Sequence, residues 1–338
     1  MSTNKDWLER TVEATLEPDL PICDPHHHLW EFRFDREAPR YLMDEIQADV
    51  TSGHNIRATV FIECGAMYRA TGAAAMRPVG ETEFVNGIAA MSASGDYGET
   101  RIAAGIVGSA DLCLGADVGP VLDAHMAAGG GRFRGIRHQA TWDDSEVVTN
   151  GRNVTRPHVY LDDGFRQGFA ELVRRGLGFE AWCYHHHISD VTDLARAFPD
   201  AVIILNHFGG PLGIGPYAGK QDEIFPVWQR DMAELAACPN VFAKLGGINM
   251  KTNGFNWHEN DRPPSSHELM QGTRRYYEHT IEHFGVERCM FESNFPVDMV
   301  TCSYNVLWNS FKRLAADYNA DEKAELFHDT AFRAYRLD

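Results

Sequence analysis

Eight short apolar runs rich in β-branched residues alternate with helix-like segments along this chain. Nearly every run ends in a polar or histidine residue. Together these two features predict an α/β protein of the (β/α)8 (TIM) barrel class, somewhat distorted and built as one domain. A doubly wound open sheet is the runner-up. Against it, no GxGxxG follows the first strand, and Gly129-Gly130-Gly131 precedes a strand and reads as a turn.

Residues 1–19 read as an N-terminal extension and 20–338 as the barrel. Strands are expected at 20–28, 58–63, 102–107, 133–138, 177–183, 202–207, 241–245 and 288–293, runs too short for helices and lacking helical spacing. Apolar residues at helical intervals predict helices over 82–92, 164–175, 188–198, 227–237, 267–284, 305–316 and 321–335. Polar loops at 139–160, 208–226 and 246–266 follow the fourth, sixth and seventh strands, where they would rise over the C-terminal face of a barrel.

Composition narrows the function. A formal net charge of -17 argues against nucleic acid and anionic membranes as partners, leaving a small-molecule substrate; a homo-oligomer stays open. The seven cysteines are dispersed, odd in number and without a CxxC pair, as expected of buried thiols in a reducing compartment. No signal peptide or membrane-spanning run is read, so the cytoplasm is expected.

The chemistry-bearing residues collect at the strand ends. Alternate residues of a strand share a face, which puts Asp24, His26 and His28 together; the two imidazoles can converge on a metal or a polar substrate group. The second strand ends in Glu63 and the fourth in Arg137-His138. Arg137 suits a bidentate clamp on a substrate carboxylate, or a pair with Asp143 or Asp144. Glu180 lies between apolar residues and needs a partner; it should face inward with Trp182 and Tyr184. His185, His186 and His187 resemble a second metal cluster of which one or two point inward. His207 ends the sixth strand, and Lys244 lies on the seventh. Glu292 and Asn294 share the inward face of the eighth, with Asp298 just beyond. Trp142, Trp257 and His258 sit on the long loops as candidate caps over the pocket.

Five motifs carry a family resemblance. They are Cys23-Asp24-Pro25-His26-His27-His28-Leu29-Trp30, Arg134-Gly135-Ile136-Arg137-His138, Leu205-Asn206-His207-Phe208-Gly209, Lys244-Leu245-Gly246-Gly247, and Met290-Phe291-Glu292-Ser293-Asn294-Phe295-Pro296-Val297-Asp298. The chain resembles the amidohydrolase superfamily, in its branch of lactonase-like hydrolases acting on sugar lactones and 2-pyrone-4,6-dicarboxylate. The resemblance implies a barrel whose His26–His28 pair and His207 face the pocket. Some members bind one divalent metal and others none, so His26, His28 and His207 are the implied ligands of a single ion, zinc by preference, in an enzyme that also has metal-independent relatives. One departure matters. The family usually closes the eighth strand with Ser-Asp-Trp-Pro, its aspartate serving as general base, whereas this chain reads Ser293-Asn294-Phe295-Pro296. An amide takes no proton from water at neutral pH, so Glu292 or Asp298 is expected to replace the base.

The reading at this stage is a hydrolase of the carboxylic-ester type. It opens a lactone, or a related cyclic ester or amide, of a small carboxylated or hydroxylated metabolite. Water attacks the carbonyl, His26, His28 and His207 polarise it, Glu292 or Asp298 takes the proton, and Asn294 orients water or substrate. Arg137, His138, Glu180 and Trp142 are the expected substrate contacts. The alternatives are a metal-dependent decarboxylase of an aromatic or unsaturated acid, and a non-catalytic ligand-binding barrel. A two-metal centre is not expected, because the fourth strand carries no lysine to bridge it.

Overall fold

A computed structural model describes residues 4–32, 40–152 and 154–337. Residues 1–3 of the predicted extension, residue 153 of the predicted 139–160 loop and residue 338 lie outside the described residues. Eight parallel strands follow in chain order around one sheet: β1 Pro21–His27, β2 Asn55–Ile62, β3 Arg101–Gly108, β4 Phe133–Ala140, β5 Gly178–Cys183, β6 Ile203–Leu205, β7 Val241–Leu245 and β8 Cys289–Phe291. The β1–β8 seam is joined just past β8, where His28 donates its backbone N–H to Phe295 (2.8 Å) and Asn294 donates to His26 (2.9 Å). The barrel is therefore nearly closed, and the open-sheet alternative is excluded.

Each predicted strand is present to within three residues at either end. The helices are α1 Asn4–Leu8, α2 Met43–Val50, α3 Val79–Ala93, α4 Gly119–Ala128, α5 Asp163–Arg174, α6 Ile188–Ala197, α7 Gln221–Ala236, α8 Ser266–Phe284, α9 Tyr304–Leu314, α10 Ala320–Ala324 and α11 Thr330–Tyr335. The sequence reading did not include α1, α2 and α4. It also started α7 six residues late, at 227 and not at Gln221, and so left Pro226 outside a helix that contains it. Here Phe225 and Trp228 stack at 5.3 Å against the neighbouring Tyr276, and packing overrides the one backbone bond that proline removes. The predicted 321–335 helix is interrupted by a π-helical turn at Glu325–Asp329.

Local chemistry starts the helices where they are needed. Asp162 accepts the N–H groups of Gly164 and Phe165 and so caps α5. Ser265 and Glu268 form a capping box at α8. Phe165 and Phe169 of α5 pack edge-on against Phe179 of β5, holding that strand in place.

Two apolar layers fix the site from below and around. The outer layer lies between strands and helices. The inner one fills the lower barrel, where Cys23, Val60, Ile62, Ile204 and Met290 meet Ala331, Ala334 and Leu337 from the C-terminal helix and its end. The last helix thus plugs the barrel, and the polar residues above the plug face the opposite mouth. The extension is strapped to the barrel's flank: Trp7 Nε1 donates to the Asn260 carbonyl (2.9 Å), and Glu13 accepts from the Ser266 backbone N–H (2.7 Å) and Asn309 Nδ2 (3.1 Å). No described helix is long and apolar enough to cross a membrane. All seven cysteines are free thiols.

Candidate active site

Above the apolar plug lies a layer of buried charge. Lys244 Nζ sits 2.9 Å from Glu180 Oε2 and 3.9 Å from Glu292. Asn206 Nδ2 and the Tyr335 hydroxyl also donate to Glu180. Glu180 is thereby tied to the plug and does not line the cleft. The expectation that it contacts substrate is corrected: its paired neighbours are Lys244, Asn206 and Tyr335, which satisfy a carboxylate that would otherwise be costly to bury.

The next layer holds the imidazoles. His207 sits in the left-handed backbone region (φ 52°), which turns its ring back over the barrel. Its Nδ1–H donates to Glu292 Oε1 at 2.6 Å, leaving Nε2 as the basic nitrogen. Gly247 makes room for that ring, since a Cβ there would lie 2.0 Å from His207 Nδ1. His26 Nδ1 lies 2.6 Å from Glu292 Oε2, but the angle is poor, and Oε2 has no well-formed hydrogen bond although it is buried. Arg137 Nη1 approaches His26 Nε2, and Lys244 Nζ approaches His26 Nδ1, each at 3.4 Å. Burial first, then Lys244, His207, His28 and Arg137, push the His26 pKa well below the usual histidine range, so His26 is neutral. His28 Nδ1–H donates to the Ile62 carbonyl (2.8 Å), and its Nε2 lies 3.3 Å from the Asn294 amide.

The shared face predicted for Asp24, His26 and His28 holds for the histidines alone. The β1 register slips between Asp24 and His27, so Asp24 turns outward. There it accepts from Ser293 Oγ (2.6 Å) and from Tyr304 of α9 (2.9 Å).

At the mouth, Arg137 Nε donates to Glu63 Oε1 (2.9 Å), Arg152 to Glu63 Oε2 (2.8 Å) and Gln139 to Glu63 Oε1 (2.9 Å). Burial raises the Glu63 pKa, but Arg137 and Arg152 outweigh it and hold the carboxyl below its usual range. Glu63 takes the place of Asp143 or Asp144 as the partner of Arg137. Asp143 instead accepts from Tyr217 (2.6 Å). The cleft has two lobes that share Arg137, Gln139 and Arg152. The inner lobe, about 430 Å³, is lined by His28, His207, Asn294, Trp182 and Tyr184. The outer, about 360 Å³, is lined by Glu63, Tyr68, Asp111 and His138.

Several predicted site residues lie elsewhere. His138 turns away from Arg137 against Phe165 (5.3 Å between rings), its Nδ1 accepting the Leu112 N–H, so it reaches the outer lobe and not the one with the histidines. Trp142 lines a separate surface hollow and gives its carbonyl to His186 Nε2 (2.9 Å). Trp257 stacks on Phe255, and neither it nor His258 lines the cleft. Of His185–His187, none lines the inner lobe. Asp298 is fully buried; it accepts from Asn294 Nδ2 (3.1 Å), and burial above all, with Glu292 adding, drives its pKa well above the carboxylate range. Glu292 lies beneath the two imidazoles and does not line the cleft. Arg152, Gln139 and Thr149 were missed. Gln139 follows from the alternation that brings Arg137 inward, but Arg152 and Thr149 come from an irregular loop with no periodic signal.

A nearly closed barrel with buried imidazoles and a carboxylate at its C-terminal mouth defines a barrel enzyme. Residues 23–337 match the family model described as Amidohydrolase, and the chain belongs to that family; it is a hydrolase. Among curated relatives, the uncharacterized protein y4mH of Sinorhizobium fredii is 34% identical over 94% of this chain and 99% of its own length. An L-fucono-1,5-lactonase of Burkholderia multivorans is 27% identical over 71% and 73%. Among solved structures, a Burkholderia multivorans amidohydrolase with bound zinc superposes with TM-score 0.71 over 94% of this chain and 99% of that one, at 24% identity, a likeness of fold.

Proposed function

We propose that this amidohydrolase opens a sugar-acid or carboxylated lactone, with His207 rather than Glu292 or Asp298 taking the proton from water. The observation that carries this reading is the Nδ1–H bond from His207 to the buried Glu292, in a ring that lines the inner lobe. A carboxylate on Nδ1 fixes the tautomer and stabilises the imidazolium that forms as Nε2 accepts a proton. Water is activated at Nε2 of His207, and its oxygen adds to the lactone carbonyl. The ring C–O bond then breaks, and the proton returns to the leaving alkoxide. His28 and Asn294 face the same lobe and orient the water and the carbonyl. Arg137 and Arg152 line both lobes as the cations that would meet a substrate carboxylate. The lactonase relative supports the substrate class.

The donor set fits one divalent ion. His26, His207 and Glu292 have donor atoms within 4.8 Å of one another, and Glu292 Oε2 is a buried oxygen lacking a good hydrogen bond. His26, His207 and Glu292 would hold the ion, which would supply Lewis-acid polarisation of the carbonyl or water; a ligated His207 would give up either its Nδ1 proton or its free Nε2, so the ion and the His207 base are alternative ways of activating the water. Arg137 and Lys244 already face His26 as cations, so this centre binds its ion weakly. His28 stands outside this group of donors: its Nδ1 bonds the Ile62 carbonyl and its Nε2 faces Asn294.

The test is a turnover assay on a panel of sugar-acid lactones, carboxylated pyrones and muconolactones, before and after chelation. Hydrolysis of at least one member is expected. An inert panel, with carbon dioxide released from an aromatic or unsaturated acid, would replace this reading with a decarboxylase.

A further inference from the structure

Away from the cleft, a second group of donors comes together. His158 lies on the loop after β4, His187 directly precedes α6, and Asp190 is in the first turn of α6. One donor atom from each lies within 4.8 Å of the other two. His158 Nδ1 is 3.0 Å from Asp190 Oδ2 and 3.2 Å from Oδ1. The His158 and His187 rings meet edge to face at 4.9 Å. His187 is only 4% exposed, yet its Nδ1 has no hydrogen-bond partner among the described residues. Buried imidazole nitrogens are nearly always satisfied, so this one asks for a ligand. Both His158 and His187 line a hollow of about 400 Å³ that opens to the surface, so an ion from solution has a path in.

We propose that His158, His187 and Asp190 form a site for one divalent transition-metal ion, separate from the active-site cleft. Two imidazoles and a carboxylate supply three ligands and leave a fourth position for water, the pattern of an open zinc site. Nitrogen-rich donors of this kind select zinc, cobalt, nickel or copper over magnesium and calcium. In a tetrahedral site with bonds of about 2.0–2.1 Å, neighbouring donors are about 3.3 Å apart. The His158–Asp190 separations reach that with a shift of a few tenths of an ångström. The ion would join a loop that shapes the cleft to the start of α6. The loop ending at His158 carries Thr149, Asn150 and Arg152 into the inner lobe, while His187 and Asp190 belong to the rigid start of α6. His186 holds the same loop through the Trp142 carbonyl.

The experiment titrates the chelator-treated protein with zinc chloride by equilibrium dialysis and metal analysis. Cobalt(II) absorption reports the coordination geometry. Wild type is compared with His158→Ala, whose side chain is 57% exposed, with Asp190→Asn, and with His207→Ala, which removes a donor of the cleft. Losing one of three ligands should weaken binding at least about 100-fold, more than the 10–100-fold typical of groups that only orient a ligand. His158→Ala should therefore bind one zinc fewer per chain in the range that saturates wild type. His207→Ala should keep the site, and zinc should raise the thermal midpoint of wild type by more than that of His158→Ala. Equal stoichiometry and affinity in wild type and His158→Ala would overturn the proposal, as would loss of all binding in His207→Ala.

Discussion

Glu292 touches two imidazoles with its two oxygens, and that contact decides which atoms can move a proton. Strand periodicity placed Glu292 inside the barrel, where it is, but the depth at which a side chain meets the cleft is set by its neighbours across the barrel. With His26 and His207 above it, Glu292 reaches water only through them. Glu292→Gln keeps an acceptor for the His207 Nδ1–H and removes the charge that stabilises the imidazolium. We expect kcat to fall by about 10²-fold, in the range for disabled acid–base catalysis, with KM nearly unchanged. A variant with wild-type kcat would remove Glu292 from the reaction. Arg137→Lys should raise KM most for lactones bearing a carboxylate and least for neutral ones, because lysine cannot form the planar two-pronged contact. Equal effects on both classes, measured side by side, would confine Arg137 to its pair with Glu63. His26, His28, His207, Arg137 and Asn294 were legible because strand alternation and strand ends mark them. Arg152 and Thr149 were not, since they reach the cleft through a long loop whose path no local pattern encodes.

Elements place these residues through a few exact backbone features. The bulge in β1 separates Asp24 from His26 and sends it outward to Ser293 and Tyr304. Alternation alone cannot show such a slip. Beyond β7, Gly247 takes φ +67° directly against the His207 ring. Gly247→Ala therefore should displace His207 and lower kcat by at least about 10²-fold while the circular dichroism spectrum stays native, given that each left-handed non-glycine residue costs roughly 1–2 kcal/mol. Full activity in that variant would mean that His207 does not need its observed position. The strands were readable because each is a compact β-branched run between polar ends. Short helices were not. Gly119–Ala128 is as long as α6 but opens on Gly119-Pro120 and is rich in alanine, so no polar face stands out, Met43–Val50 spans only about two turns, and packing against the barrel makes them helical.

For the whole molecule, the plugged lower barrel and the charged upper one set an opposition between stability and function. Glu81 shows its pH signature. Its Oε1 accepts the N–H groups of Cys64 and Ala66, while Oε2 is buried without a partner. Burial first, then Glu63, push its pKa up to about 7. The unfolded value is about 4.3. The folded state thus holds this proton more tightly, so the contribution of Glu81 to stability is fully present below about pH 4, is lost as pH rises toward 7, and is flat above. Asp24, raised to about 6 mainly by burial, acts in the same direction. Glu63 acts in the opposite one, its contribution being lost as pH falls through its depressed pKa. Glu81→Gln keeps the two accepted bonds and removes the buried charge. Calorimetry should show a higher Tm than wild type at pH 8, with the gain absent at pH 4. A gain of equal size at both would contradict this origin. The barrel class was legible at this scale from the alternation of strands and helices. The plug by the C-terminal helix was not, because it depends on which end of the barrel the chain returns to.

The assignment of the lactone-opening proton transfer to His207, held by Glu292, rests on one hydrogen bond. Its most direct test is the kcat of His207→Gln on the best lactone of the panel, measured beside wild type with the fold checked by circular dichroism. A loss of at least about 10²-fold in kcat is expected. Wild-type turnover by His207→Gln would contradict it.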